Sequence, residues 1–173
     1  MRWSVTVPSL LLVGVLFAAA VGATEPIHIG PEKCAQGQLR APAGPFAVQL
    51  FCEDALATHI GVIYLGRMGA PLDGGWSITD RFWQQGIWAA DVQDVAWSAD
   101  SAALFVATAG VYGSGGLYQL DLHARKAYGL VLPSRRMIVR IRRVTERWVE
   151  YTALDTESKV TPTPRRAAVR RMR

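Results

Sequence analysis

The stretch DVQDVAWSADSAALFVATAGVYGSGGLYQLDL (Asp91–Leu122) decides the fold class. Three runs rich in β-branched and apolar residues predict short strands at 92–97, 104–108 and 117–122. A polar turn separates the first two runs, and the glycine-rich loop 109–116 separates the second from the third. The middle run is apolar without alternation, which is typical of a strand buried on both faces. This order predicts an antiparallel meander.

Further strands are predicted on both sides of this stretch. They are Phe46–Cys52, His59–Leu65, Ala127–Leu132 (ended by Pro133), and a hairpin of Met137–Val144 with Trp148–Leu154. Residues 24–45 are rich in Pro and Gly and predict a loop, whereas 76–88 could form either strands or a short helix. The chain is therefore predicted to be all-β, as a compact antiparallel sheet or sandwich that contains a meander.

The meander resembles one blade of a WD40-like β-propeller of the periplasmic TolB type, over residues 91–132. Trp97, Ser98 and Asp100 match the end of that blade's first strand. Leu117, Tyr118, Asp121 and Leu122 match its third strand, whereas Ala99 and Ser101 replace the usual Pro and Gly. The resemblance spans about 40 residues, near one blade period. A propeller needs about 4–8 blades. The resemblance therefore implies a blade-like meander, not a complete single-chain propeller, and it leaves the function of the chain open.

The beginning of the chain predicts export. Arg2 precedes the apolar run Leu10–Val21, and the small residues Val21–Ala23 suit a signal peptidase. The run falls short of the roughly 20 residues that cross a bilayer, although an uncleaved anchor is the alternative. We therefore expect a signal peptide at 1–23, a β domain at 24–158 and a secreted or periplasmic location. The mature chain then has 173 − 23 = 150 residues.

Cys34 and Cys52 are the only cysteines, and in an oxidising compartment they predict one disulfide. It would close a loop of 52 − 34 = 18 residues, a stabilisation of roughly 3 kcal/mol. The alternative, a metal or redox pair, lacks the required spacing to His28 or His59. The glycine-rich loop has no Lys and no following helix, so it does not fit a phosphate-binding loop. No cofactor or metal is predicted.

Charge is concentrated at the end of the chain. From Arg135 onward 12 basic and 4 acidic residues give +8, and the preceding 7 basic and 10 acidic residues give −3, which sum to +5. Residues 159–173 predict a disordered basic tail. In a secreted protein this charge favours an anionic lipid, a polysaccharide or an acidic envelope protein over nucleic acid. The candidate partner contacts are Tyr112, Arg140, Arg142, Arg165, Arg166, Arg170 and Arg171.

The sequence favours a non-catalytic binding or structural module, because no acid, base and nucleophile converge in any motif. Ser98 and Asp100 lie together in a turn, where both are expected to bond the backbone. The alternative is a small envelope hydrolase whose site is assembled only in the fold. Such a site would need His28, His59 or His123.

Overall fold

A computed structural model describes residues 23–36, 38–44, 46–53, 57–64, 76–77, 92–109, 114–124, 126–158 and 160–171. The elements in these ranges are β1 (Ile27–His28), α1 (Pro31–Gln36), β2 (Gln38–Arg40), β3 (Phe46–Glu53), β4 (Ala57–Tyr64), β5 (Trp76–Ser77), β6 (Val92–Trp97), β7 (Ala103–Thr108), β8 (Ser114–Asp121), β9 (Lys126–Arg135), β10 (Met137–Val144), β11 (Trp148–Asp155) and β12 (Arg165–Ala168). The all-β prediction is confirmed.

The strands form three antiparallel sheets. One sheet has the order β2-β3-β4-β5, the second β1-β6-β7-β8-β9 and the third β10-β11-β12. Strands β6 to β9 are consecutive in the chain and adjacent in space, which confirms the predicted meander. The hairpin of β10 and β11 is also confirmed.

The five-stranded sheet lies between the other two sheets and contributes to two hydrophobic cores. Its strands alternate their side chains between these cores. The first core joins Val95, Trp97, Leu104, Val106, Tyr118 and Leu120 to Phe46, Val48 and Leu50 of β3. The second joins Ala96, Phe105 and Leu117 to Val139, Ile141, Val149 and Tyr151 of the three-stranded sheet. Every residue of β7 is consequently buried, which explains its unbroken apolar sequence.

The polar turn between β6 and β7 is held by side chains. The Asp100 carboxylate accepts a hydrogen bond from the Ser98 hydroxyl at 2.6 Å and from the Ala102 N–H at 3.0 Å. These two bonds, in that order, lower the pKa of Asp100. Ser98 also accepts the Ala103 N–H at 2.8 Å. Ser98 and Asp100 therefore stabilise this turn.

Two glycines of the glycine-rich loop belong to strand β8. A Cβ atom on Gly115 would lie 1.8 Å from the Met137 carbonyl oxygen, and one on Gly116 would lie 2.7 Å from the Tyr118 hydroxyl oxygen. Gly115 thus permits a close approach of β8 to the start of β10, and Gly116 leaves room for the side chain of Tyr118. Tyr112 lies outside the described residues.

Three segments differ from the sequence prediction. Residues 24–45 include β1, α1 and β2 where a loop was expected. Strand β9 continues through Pro133 to Arg135, because β9 is an edge strand and proline is tolerated at an edge. In place of a disordered tail, Arg165–Ala168 forms β12, which pairs with β11 and buries Ala167 against the second core.

Some predictions fall outside the described residues. Of the signal-peptide prediction only Ala23 is described, and of the segment 76–88 only β5. Within the ranges given above, no helix has the length and apolar character to cross a membrane.

Candidate functional site

Two groups of side chains carry charge at places where the sheets meet or end. The first consists of His28, Gln93, Asp94 and Arg140 and is named the Asp94 cluster. Its centre is Asp94, whose side chain is only 4% exposed although β6 is otherwise largely apolar. A buried carboxylate must be paired or hydrogen-bonded to be tolerated.

Asp94 bonds the free edge of the three-stranded sheet. Its Oδ2 accepts the Ile141 N–H of β10 at 2.9 Å. On either side of Ile141, the same strand is bridged by Ala109 at Ile138 and by Thr24 at Val144. The Asp94 carboxylate thus accepts this N–H as a backbone carbonyl of a neighbouring strand would. It thereby satisfies a backbone group at the β10 edge of the sheet.

His28 contacts the same carboxylate from β1. Its Nδ1 lies 3.1 Å from Asp94 Oδ1 and 3.0 Å from the Gln93 carbonyl oxygen. Both of these atoms are acceptors, so Nδ1 carries the ring hydrogen of the neutral imidazole. The other nitrogen, Nε2, is then an acceptor and lies 3.4 Å from Nη2 of Arg140. The His28 side chain is 57% exposed.

Arg140, predicted as a partner contact, is tied into the cluster. Its Nε lies 3.3 Å from Asp94 Oδ2, and its Nη1 donates to Gln93 Oε1 at 2.9 Å. The guanidinium group has five N–H bonds. The contacts with Asp94, Gln93 and His28 use one on each nitrogen, so with respect to the described residues one remains on Nη1 and one on Nη2. The side chain is 38% exposed.

Sequence reasoning missed this cluster. The available signal was a single charged residue, Asp94, within the apolar strand 92–97, since such a residue requires a partner. The partners are 66 residues before it (His28) and 46 residues after it (Arg140: 140 − 94), and only the sheet topology brings them together.

The second group is named the arginine end and consists of Arg142, Arg143, Arg147, Arg166 and Arg171. All five are exposed. A β-bulge between Ile141 and Arg143 inserts Arg142 as an extra residue. The two arginines on either side of Ile141 therefore have different surroundings. Arg140 binds Asp94, whereas Arg142 is exposed.

Strand β12 completes the arginine end. In the strand register, Glu150 of β11 pairs with Arg143 on one side and Arg166 on the other. The Arg166 guanidinium stacks 4.2 Å from the centre of the Trp148 ring, and its Nε lies 3.7 Å from Glu150 Oε2. These contacts fix the plane of the Arg166 guanidinium.

The end of the chain is anchored by Gln119, which is completely buried in β8. Its side-chain amide donates to the Arg170 carbonyl oxygen and accepts the Arg170 N–H, both at 2.8 Å.

The Arg170 guanidinium lies 5.4 Å from the centre of the Tyr128 ring. The Val169 N–H donates to the Arg147 carbonyl oxygen at 2.9 Å, which places Val169 beside the β10–β11 turn. Arg165, at the start of β12, is exposed.

The remaining candidates are described only in part. The His123 ring contacts Phe46 edge-on with ring centres 5.3 Å apart, and the side chains of His59 and Cys52 lie outside the described residues. Cys34 is half-buried against the first core on α1, a helix that contacts β3, where Cys52 is located. Across the described ranges no group of three or more metal-ligating side chains occurs.

Comparison with protein-family models, curated proteins and solved structures finds no match to this chain. Function is therefore inferred from the geometry of the chain itself. The resemblance of residues 91–132 to a TolB-type blade stays a prediction.

Proposed function

We propose that this chain is an exported, non-catalytic binding module that contacts a polyanionic partner of the cell envelope through the arginine end. The observation that carries this is the exposed, unpaired charge. Within the described residues Arg142, Arg143, Arg147 and Arg171 form no ion pair, and of this group only Arg166 forms one, with Glu150.

The local charge is strongly positive. Residues 142–150 and 165–171 contain seven arginines and two glutamates, a net of 7 − 2 = +5. Exposed guanidinium groups bind phosphate and carboxylate oxygens in pairs. A concentrated positive surface also attracts a polyanion before contact, and salt weakens this attraction.

The contact is expected to be electrostatic. The large hydrophobic residues that the described surface exposes, Leu132 and Val160, lie outside the arginine end. Apolar insertion therefore adds little there, and lipid headgroups, an anionic polysaccharide and an acidic protein surface share the required chemistry. The predicted signal peptide and the predicted Cys34–Cys52 disulfide support a secreted or periplasmic location.

The arrangement of the sheets supports a blade-like scaffold. The four consecutive strands of the meander form one layer, and the sheets before and after it in the chain pack on its two faces. A β-propeller is likewise built from four-stranded sheets that follow one another along the chain. We propose this scaffold as the rigid support on which strands β10 to β12 display the arginines.

Capture from a cross-linked envelope extract tests the proposal. The oxidised chain from Thr24 is compared with the triple variant Arg142→Gln, Arg143→Gln, Arg147→Gln and with a control triple, Arg40→Gln, Lys126→Gln, Arg136→Gln. Both triples lower the net charge by the same amount, three units. We expect the wild type and the control to retain the same lipid, polysaccharide or protein, and the first triple to lose it. Equal capture by both triples would place recognition elsewhere and contradict the proposal.

Substitution is the appropriate test because the end of the chain belongs to the fold. Deleting residues 162–173 would remove β12 and leave the buried Gln119 amide without its Arg170 partners. An unsatisfied buried polar group costs about 1–3 kcal/mol. Loss of binding by the deleted chain would then report unfolding as much as lost contacts.

The second candidate, a small envelope hydrolase, is favoured by one observation. His28 donates its Nδ1–H towards a buried carboxylate, as the histidine of a Ser–His–Asp triad does. Its Nε2, however, contacts Arg140, and no hydroxyl or thiol in the described residues bonds to it. A hydrolytic activity that disappears in His28→Gln, with an unchanged circular dichroism spectrum, would support this candidate.

A further inference from the structure

The Asp94 cluster presents two hydrogen-bonding groups to solvent above a buried carboxylate. Asp94 is 3% exposed as a residue, whereas the side chains of Arg140 and His28 are 38% and 57% exposed. The Asp94 carboxylate therefore lies below the surface, and the Arg140 guanidinium and the His28 imidazole lie at the surface. The contacts with Asp94 hold these two exposed groups in fixed orientations.

Arg140 is held with spare donors. Asp94 and Gln93 fix the guanidinium on its Nε and Nη1 nitrogens, and His28 contacts Nη2. In the described part of the chain, one N–H on each terminal nitrogen has no acceptor. These donors can meet two oxygens of a phosphate or carboxylate group.

His28 can add a further donor. In the neutral ring Nε2 accepts from Arg140, but in the protonated ring both nitrogens donate. The protonated ring would still bond Asp94 through Nδ1, whereas its Nε2–H would face the Arg140 cation at 3.4 Å. An anion between Nε2 and Nη2 would accept from both groups and remove this repulsion.

We infer that His28 and Arg140 form a binding site for a small oxyanion, a phosphate or carboxylate group, and that binding is coupled to protonation of His28. The charged groups that face His28 in the described residues are Asp94 of β6 and Arg140 of β10. With His28 neutral the cluster has no net charge, because Asp94 and Arg140 cancel. With His28 protonated it carries +1, so oxyanion binding strengthens as the pH falls.

This site is separate from the arginine end. Its residues come from β1, β6 and β10, and none of them is changed in the arginine triple variant. The loss of one binding function therefore does not imply the loss of the other.

Nuclear magnetic resonance of the histidine rings tests the inference directly. The chain contains three histidines, so His28 can be assigned by substitution, with His59 and His123 as internal references. Dimethyl phosphate and acetate, which each carry one negative charge at both pH 6 and pH 8, are titrated separately into the wild type at these two pH values, in a buffer free of other oxyanions. We expect a saturable shift of the His28 resonance with at least one probe. The tighter probe identifies the class, and its affinity at pH 6 should exceed that at pH 8 at least tenfold.

Two variants separate the site from general charge effects. Arg140→Gln should weaken binding at least tenfold, and Arg136→Gln, at an exposed arginine that belongs to neither group, should leave it unchanged. The absence of a saturable His28 shift with either probe, or an unchanged affinity in Arg140→Gln, would overturn the inference. An affinity that is equal at the two pH values would overturn the coupling to His28.

Discussion

Tyr118 shows how a single buried side chain couples stability to pH. It is completely buried in the first core, and burial raises its pKa to about 12 against a weaker opposing effect of the Thr108 hydrogen bond. The unfolded chain releases this proton near pH 10, whereas the folded chain retains it up to about pH 12. The stability that Tyr118 contributes is therefore full below pH 10 and is lost as the pH rises through about 12.

We expect the free energy of unfolding of the wild type to fall between pH 10 and 12, and that of Tyr118→Phe to fall less steeply over the same interval. Chemical denaturation at successive pH values measures this, with the absorbance of tyrosinate as a parallel signal. Identical slopes for both proteins above pH 10 would contradict this role.

Asp94 is the second residue on which stability depends. Asp94→Ala leaves the buried Ile141 N–H without its acceptor and removes the anchor of Arg140. We expect the free energy of unfolding to decrease by about 2 kcal/mol. Asp155→Ala is the control, because Asp155 accepts the Glu157 N–H at 3.0 Å but is exposed. A loss no greater for Asp94→Ala than for the control would show that the cluster is not structural.

At the level of the elements, glycines of β8 are required by a close approach between strands. A methyl group on Gly115 would overlap the Met137 carbonyl, so Gly115→Ala should destabilise the fold by about 3 kcal/mol. Gly129→Ala in β9 is the control, because nothing lies within 4 Å of the position that its methyl group would take, and it should change stability by less than about 0.5 kcal/mol. Thermal or urea denaturation compares the two. If Gly115→Ala were as stable as the control, the glycines would have another role.

The disulfide prediction concerns the contact between α1 and β3. The helix that carries Cys34 packs against the strand that carries Cys52. We expect no free thiol in the oxidised protein and a loss of roughly 3 kcal/mol in Cys34→Ser. Thiol titration under denaturing conditions decides the first point, and two reactive thiols per oxidised chain would contradict it.

The sequence predicted elements better than it predicted contacts between them. Strands with clear local patterns, such as β3, β6, β7 and the β10–β11 hairpin, were found because alternation or continuous apolarity is a local property. Strand β12 was missed because its sequence, RRAA, has no strand pattern of its own. It forms because β11 offers an edge and Gln119 binds the Arg170 backbone. The Asp94 cluster was missed for the same reason, since its members meet only through the sheet topology.

For the whole molecule, the central claim is that one end of a stacked β scaffold binds a polyanion. That scaffold consists of the sheet β2-β3-β4-β5, the meander and the three-stranded sheet. The arginines lie at the edge of the three-stranded sheet. The resemblance to a TolB-type blade concerns this scaffold, whereas the proposed contact concerns the strands that follow the meander.

The most direct test is the salt dependence of binding to anionic vesicles and, in a second arm, to a soluble anionic polysaccharide. We predict that at least one of these ligands binds the wild type and the control triple with an affinity that falls at least tenfold as salt rises from about 0.05 to 0.5 M. The triple variant Arg142→Gln, Arg143→Gln, Arg147→Gln should bind at least tenfold more weakly at low salt and lose most of this dependence. Equal affinity and equal salt dependence of the two triples would contradict the account, and no binding in either arm would contradict a lipid or polysaccharide partner.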